Sequence, residues 1–300
     1  MITNTWVKDL IKKNPDITFN DILLPGTHNS CSYKFDSNLI NLSHSNILNC
    51  CIITYFIKNW TVNQCFNIYN QLKIGVRVFN IDVSYYNKDF YTSHRFCINK
   101  LETDLKQIQD YSNEFNEFIV LSFILQNIPS NQIENLEKLI KSYFDNNTIY
   151  PMHYVNPLNV SLSEFSNNNK NILIYFEKES NYHVFYSHKL MYCSSWENET
   201  SITQLKEKCN HRLIHFNNLK KNHIDIFCDL NWTLTPKSNQ IIKSIFCCNK
   251  YNNLEEWITP LNKELTAFLH NNKDNLKKIN SISIDFAYNY IIEQIINLHK

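Results

Sequence analysis

The feature that most constrains the fold is the alternation of short apolar runs with longer helical patterns along the chain. Residues typical of strands dominate the short runs, and helical periodicity fills the intervals, which indicates βα units around a parallel sheet. The predicted strands are residues 18–24, 76–83, 118–125, 171–176, 190–194, 224–230 and 281–287, with a shorter piece at 89–93. The predicted helices are residues 131–145, 200–208, 238–247, 254–270 and 288–299.

Eight strands with helices between them in 300 residues predict an α/β fold, a single TIM-type (β/α)8 barrel that is irregular in places. A doubly wound open sheet is the alternative, but no glycine-rich turn follows the first predicted strand, as a Rossmann site requires. No Pro/Gly/Ser-rich linker or repeat divides the chain. We therefore expect one domain over residues 1–300, with its core at about 18–297.

Composition narrows the classes of function. The formal net charge is +1, and the absence of a basic stripe argues against nucleic acid as a partner. The ten cysteines show no CxxC spacing, which argues against a zinc site and a disulfide scaffold. The N-terminus lacks the apolar stretch of a signal peptide, so we expect a cytoplasmic protein. The apolar run at 47–57 predicts either a buried helix or a rim that touches a membrane surface.

Two segments carry residues suited to acid–base chemistry. In LPGTHNS, a Pro-Gly turn places His28 and Asn29 at the carboxyl end of the first strand, which is the catalytic end of a barrel. In GVRVFNIDV, strand alternation places Asn80 and Asp82 on the same face, and His94 follows at what reads as another strand end. Two histidines that titrate near neutral pH suit general acid–base catalysis on a phosphodiester.

Three further residues stand out in their sequence context. Asp285 lies in the apolar run SISIDFA, where a carboxylate is costly unless it is paired, so we expect it at the site. Gly26 and Gly75, the two glycines of the chain, both fall in the segments described above. A chain with so few glycines is expected to keep them where the backbone requires them.

These segments resemble a known family. LPGTHNS, GVRVFNIDV and the following Ser93-His94 are similar to the X-box of phosphatidylinositol-specific phospholipases C. Residues 195–198, 230–236 and 280–286 resemble further segments of the small X-domain-only eukaryotic members, so the likeness extends over about residues 20–297. The resemblance implies a barrel enzyme that acts on a phospholipid or inositol phosphate and contacts membranes peripherally.

The resemblance also implies roles for individual residues. His28 is the expected general base on the inositol 2-hydroxyl, and Asp285 is expected to hold its other ring nitrogen. His94 is the expected general acid for the diacylglycerol oxygen, and Asp82 completes the predicted catalytic set.

The chain departs from the family pattern at the groups that face the phosphate. Metal-independent members have His-Asp and Asp-x-Arg, whereas this chain has His28-Asn29 and Asn80-x-Asp82. Calcium-dependent members have His-Asn and Glu-x-Asp, so Asn29, Asn80 and Asp82 are the predicted ligands of calcium, the one cofactor expected. The position of a further family ligand falls on Ile124, which binds no metal.

The positive charge opposite the phosphate therefore has to come from elsewhere. Arg77, Arg95 and Lys178 are the candidates, and Arg77 has a barrel-bracing role as its alternative. The predicted substrate contacts are Asn29, Arg77, Lys178 and Trp232, with a core position as the alternative for Trp232.

Three functions remain open. The first is a phosphodiesterase of phospholipase C type, and the second is a weak or inactive homologue that binds inositol phosphate or phospholipid headgroups. A barrel enzyme acting on glycerophosphodiesters is less favoured, because such enzymes usually open with His-Arg and Glu-x-Asp.

Overall fold

The computed structural model describes residues 4–33, 58–149, 156–178, 185–222, 224–245 and 251–299, so the run at 47–57 lies outside the described residues. The strands are β1 (Leu24–Thr27), β2 (Val78–Tyr86), β3 (Asp89–His94), β4 (Phe96–Lys100), β5 (Ile119–Gln126), β6 (Thr148–Ile149), β7 (Ile172–Phe176), β8 (Tyr186–Ser187), β9 (Tyr192–Ser194), β10 (Phe227–Trp232) and β11 (Ser281–Ile284). The helices are α1 (Trp6–Lys13), α2 (Ile68–Lys73), α3 (Leu101–Phe115), α4 (Ile133–Phe144), α5 (Leu162–Asn167), α6 (His188–Met191), α7 (Ile202–Lys221), α8 (Ser238–Ile245), α9 (Leu254–Asn271), α10 (Lys273–Leu276) and α11 (Asn289–Ile296).

The sheet is a curled parallel sheet. Its strands pair in the order β6-β7-β5-β2-β1-β11-β10-β9, and each of these pairs is parallel. Strands β7 and β9 lie six places apart in this order, near its two ends. The rings of Tyr175 in β7 and Tyr192 in β9 nevertheless have centroids 5.1 Å apart, so the two edges of the sheet curl toward each other. No hydrogen-bonded pairing closes the ring in the part of the chain described. The α/β prediction of a TIM-type barrel, irregular in places, is confirmed, and the prediction of one domain over 1–300 stays a prediction.

Three of the strand predictions are wrong in detail. In the predicted strand at 190–194, the first two residues end helix α6, and β9 begins at Tyr192. The first barrel strand is β1, not residues 18–24, because Phe19–Asp21 form a 3-10 helix whose capping box joins Thr18 and Asp21. The piece at 89–93 does form a strand, β3, but it pairs antiparallel with β2 and lies off the barrel path. The predicted helix at 200–208 is also longer, since α7 runs from Ile202 to Lys221.

The core forms where apolar strands are covered on both faces. Every residue of β7 is buried, as are the first five of β5, which is typical of central parallel strands. Helix α11 adds an apolar stripe that includes Ile291, Ile292 and Ile295. Among the described residues, no helix is both long and apolar enough to cross a membrane.

Gly26 permits the close approach of β1 to its neighbours. A Cβ atom at this position would lie 2.6 Å from Ser283 Oγ and 3.2 Å from Val78 Cβ, so a larger residue would push the strands apart. Gly75 has a φ of 109°, a left-handed conformation that favours glycine. Both glycines therefore serve the backbone, as expected.

Candidate active site

A cavity of about 420 Å³ opens at the carboxyl ends of the barrel strands. His28 and Asn29 follow β1, Asn80 and Asp82 belong to β2, and His94 ends β3; all five line this cavity. The structure thus brings together the residues that the two sequence segments predicted. His94 reaches the cavity from the antiparallel hairpin strand β3, not from the end of a barrel strand as expected, because β3 runs back along β2.

His28 and Asp285 form a hydrogen-bonded pair. His28 Nδ1–H donates to Asp285 Oδ1 at 3.0 Å, because a buried carboxylate accepts from the ring nitrogen. This bond leaves Nε2 of the imidazole as the atom that accepts a proton. Strands β1 and β11 are neighbours, with Thr27 opposite Ile284. The residues that follow these two, His28 and Asp285, therefore lie side by side.

The electrostatics of the pair favour a base. Burial opposes protonation of His28, but the charge and hydrogen bond of Asp285 and the charges of Asp82 and Asp229 outweigh it, so the pKa of the imidazole rises above 6.5. Asp285 itself is 1% exposed and also accepts a bond from Asn63 Nδ2 at 2.9 Å. The carboxylate is thus held in place by two donors.

His94 has a different environment. Its Nδ1–H donates to the carbonyl oxygen of Thr61 at 2.9 Å, which leaves Nε2 of the ring for other partners. Burial lowers the pKa of His94 to about 4, and the positive charges of His28 and Arg95 act in the same direction. His94 is therefore neutral near pH 7 before an anion binds.

Asp82 is the one carboxylate among the described residues that line the cavity. Burial raises the pKa of Asp82 to about 7, and the charge of Glu177 adds to this while His28 opposes it. Asp82 consequently titrates in the same range as the histidines of an ordinary acid–base site.

A polar network forms the cavity floor below these residues. Asp229 accepts bonds from Asn80 Nδ2 at 3.2 Å and from the Tyr192 hydroxyl at 2.8 Å. The hydroxyls of Ser281 and Ser283 donate to its other oxygen at 2.6 and 2.8 Å. The same hydroxyl proton is shared with Asn80 Oδ1, which lies 3.0 Å from the Tyr192 oxygen, so both polar atoms of the Asn80 side chain have partners.

A short segment after the undescribed residues 34–57 braces both histidines. Thr61 accepts the bond from His94, and Asn63 holds Asp285. Gln64 Nε2 donates to the carbonyl oxygens of His28 and Ile284 at 2.8 and 3.0 Å. This bracing segment, Thr61 to Gln64, was missed from the sequence, since it carries no titratable side chain and no strand pattern.

The backbone turns sharply after each of three expected site residues. Asn29, Arg95 and Phe286, which follow His28, His94 and Asp285, have φ values of 45°, 62° and 52°. Non-glycine residues rarely adopt this left-handed conformation, and it costs roughly 1–2 kcal/mol. Strain of this kind recurs where the chain leaves a strand at functional sites.

Two expected substrate contacts are wrong. Arg77 is fully buried away from the cavity, where its guanidinium pairs with Glu117 Oε2 at 3.1 Å and donates to the carbonyl oxygens of Leu72 and Asn4. Trp232 is also fully buried, and its ring packs against Phe268 with centroids 4.4 Å apart. Both residues have the structural roles that were their alternatives.

Lys178 follows β7, is exposed and is absent from the cavity lining. Its expected substrate contact has no support in the geometry and stays a prediction. Helix α6 and strand β9 instead contribute His188 and Tyr192, whose rings contact each other with centroids 4.5 Å apart. Both line the cavity, and neither was expected there, because no spacing in the sequence sets them apart.

The residues of the expected calcium site are poor ligands for calcium. Calcium prefers six to eight oxygen ligands, several of them carboxylates. Of the proposed ligands, Asp82 is the one carboxylate, and Asn80 already uses its side-chain oxygen for Tyr192. Ile124 lines the cavity at the position of the further family ligand, and the described residues contain no group of three or more His, Cys, Asp or Glu suited to a metal.

Comparison with known proteins supports the resemblance seen in the sequence, although no protein-family profile matches the chain. A PI-PLC X-box domain-containing protein of Dictyostelium discoideum is 29% identical over 117 residues. The match covers 39% of this chain and 16% of that protein, so this chain spans a small part of the relative's length.

Solved structures match over the whole chain. The phosphatidylinositol-specific phospholipase C of Listeria monocytogenes has a TM-score of 0.69 at 17% identity and covers 100% of both chains. A phosphatidylinositol-specific phospholipase C of Staphylococcus aureus has a TM-score of 0.66 at 16% identity and covers 99% of this chain and 97% of its own. The chain shares the fold of these enzymes, and its resemblance to the X-box proteins is confirmed.

Proposed function

We propose that this protein is a phosphodiesterase of phospholipase C type that cleaves a phosphatidylinositol-type phosphodiester with two histidines. The observation that carries the proposal is the arrangement of the His28–Asp285 pair and His94 around one cavity. The shared fold and the X-box relative support a phospholipase C-like protein, and the site supports the chemistry.

The base step follows from the hydrogen bond between His28 and Asp285. Because Nδ1–H is bound to the carboxylate, Nε2 of His28 takes the proton of the attacking hydroxyl of the headgroup. The Asp285 charge stabilises the imidazolium that forms. Attack by a hydroxyl of the same molecule needs correct positioning more than it needs a strong nucleophile.

The acid step requires His94 to be protonated on Nε2 when the leaving oxygen departs. Burial lowers the pKa of His94 to about 4 in the free protein, but a bound phosphodiester anion beside the ring raises it again. The proton then passes from His94 to the diacylglycerol oxygen. We expect the donation to depend on substrate binding rather than on the resting charge of the ring.

The cavity rim supports an approach to a lipid surface. Trp196 lines the cavity and is 56% exposed, and Pro236 and Ile241 belong to the same lining. Aromatic and apolar side chains at a rim partition into the interface of a bilayer. The apolar run at 47–57, where the sequence suggested a membrane contact, lies outside the described residues. We propose that these lining side chains contribute to a peripheral membrane contact.

Binding without turnover is the second candidate, and two observations favour it. The low pKa of His94, about 4, leaves this histidine unprotonated near pH 7 in the free protein. The chain also has Asp82 at the position where metal-independent members have arginine. A protein of this kind would bind the inositol phosphate headgroup and release it unchanged.

Hydrolysis of phosphatidylinositol vesicles, with phosphatidylcholine vesicles as the control lipid, distinguishes the two. Release of diacylglycerol from phosphatidylinositol alone, in both EDTA and millimolar calcium, supports the enzyme and shows that calcium is dispensable. Release in calcium alone would support the calcium site of Asn29, Asn80 and Asp82. Binding of the vesicles without release of diacylglycerol would support the second candidate.

A further inference from the structure

A phosphodiester bound in this cavity needs a positive charge beside its non-bridging oxygens. Its own negative charge shifts onto these oxygens as the new bond forms, and a fixed cation there lowers the barrier. The positions that supply this charge in the resembled enzymes hold Asp82 and poor calcium donors in this chain.

The described cavity wall narrows the choice of cation. Arg77 is buried in the barrel base, and Lys178 is not among the lining residues. Arg95 does line the cavity, directly after His94, and its side chain is exposed. No other lysine or arginine belongs to the described lining.

The geometry of the turn presents Arg95 to the cavity. His94 of β3 pairs with Phe96 of β4, so Arg95 occupies the tip of the reversal between these two strands. Its φ is 62°, whereas asparagine occupies six of the nine described non-glycine positions with positive φ. An asparagine would suit the left-handed backbone of this turn better, so an arginine at this position carries a conformational cost.

The guanidinium of Arg95 is available for a ligand. It makes no hydrogen bond or ion pair within the described residues, unlike Arg77 and Arg212, which pair with Glu117 and Glu197. The planar guanidinium offers paired donors that match two oxygens of a phosphate.

We propose that Arg95 binds the non-bridging oxygens of the phosphodiester and supplies the charge that a strand arginine or calcium supplies elsewhere. This inference deepens the proposed function and rests on it. In the reaction, the hydroxyl proton moves to His28 as the new O–P bond forms. The P–O bond to diacylglycerol breaks, and the leaving oxygen takes a proton from His94, so Arg95 exchanges no proton and contributes charge alone.

The test uses Arg95→Asn, which suits the left-handed backbone, together with Arg95→Lys and the surface control Lys277→Ala, whose side chain is 65% exposed. We expect Arg95→Asn to lower kcat/KM for phosphatidylinositol by about 10²–10³-fold, as loss of one stabilising donor does. Arg95→Lys should keep part of the activity, and added guanidinium ion should partly rescue Arg95→Asn. Unchanged kcat/KM in Arg95→Asn, with the wild type active, would overturn the inference and leave the proposed function standing.

A second measurement distinguishes a failure of the proposed function from a failure of the inference about Arg95. Binding of inorganic phosphate is measured by calorimetry for the wild type and each variant, without any need for turnover. If the wild type hydrolyses no lipid, the proposed function fails. The Arg95 site then survives if phosphate binds the wild type at least tenfold more tightly than Arg95→Asn, and it is overturned if the two bind equally.

Discussion

His28 Nδ1 lies 3.0 Å from Asp285 Oδ1, although the two residues are 257 positions apart in the chain. The contact exists because β11 returns the end of the chain to the side of β1, with Thr27 opposite Ile284. Each strand ends at the residue before its functional side chain, so the sheet register alone places the imidazole and the carboxylate at the same height. The first and last barrel strands thus build the base together.

The first prediction concerns the charge of Asp285. Asp285→Asn keeps the shape of the side chain but removes the charge that raises the pKa of His28. We expect the pKa of His28 to fall, and kcat to fall by about 10²-fold or more. Histidine titration by NMR and a pH–rate profile measure both. Asp274→Asn, at a side chain that is 94% exposed, is the control; an unchanged His28 pKa in Asp285→Asn would refute the pair.

The second prediction concerns Asn63, which we expect to act as a positioning residue. Its Nδ2 donates to the same Asp285 oxygen that accepts from His28. In Asn63→Ala the carboxylate loses one donor, so its charge acts more strongly on His28 and the pKa of the imidazole should rise further. A hydrogen bond to a charged group contributes about 1.5 kcal/mol, so we expect its loss to lower kcat about tenfold. KM should change little. A merely structural role would lower stability and leave the His28 pKa unchanged.

The third prediction is a pH dependence of stability at Asp82. Burial raises its pKa from 3.8 to about 7, so the folded state favours the neutral carboxyl. The neutral carboxyl of Asp82 therefore contributes fully to the stability of the fold below about pH 4, and this contribution is lost as the pH rises through 7. Asp82→Asn should raise the free energy of unfolding at pH 8 by on the order of 4 kcal/mol and change it little at pH 4. Urea unfolding at the two pH values checks this, and an equal effect at both would contradict it.

The fourth prediction concerns the barrel base. Arg77 and Glu117 are both fully buried and lie 3.1 Å apart. Glu117→Gln leaves the guanidinium charge uncompensated, so we expect a loss of stability of about 3–5 kcal/mol. Because Arg77 lies away from the cavity, the kcat of the folded fraction should stay unchanged. A selective fall in kcat at full stability would return Arg77 to the substrate site.

Much of the site could be predicted from the sequence because its strong signals are local. The Pro-Gly turn before His28, the alternation of Asn80 with Asp82 and the isolated carboxylate of Asp285 all follow from rules of strand geometry and burial. The order of strands and helices likewise predicted the barrel. These features depend on residues that are close together in the chain.

The errors arise where long-range contacts decide the outcome. Arg77 reads like a substrate contact until Glu117, forty positions later, is placed beside it. Asp229 and Tyr192 form the cavity floor through strands β10 and β9, whose register no local pattern fixes. The neutral Thr61 and Asn63 act through a carbonyl and an amide, groups that every chain contains in abundance.

The central claim is that His28 and His94 both carry out proton transfer, and the most direct test is hydrolysis of phosphatidylinositol vesicles by His28→Ala and His94→Ala. His211→Ala, at an exposed position on α7, is the matched control. We predict that each site variant loses about 10²–10⁴-fold in kcat while the control stays at the wild-type rate. Folded variants that hydrolyse the lipid at the wild-type rate would contradict the two-histidine mechanism.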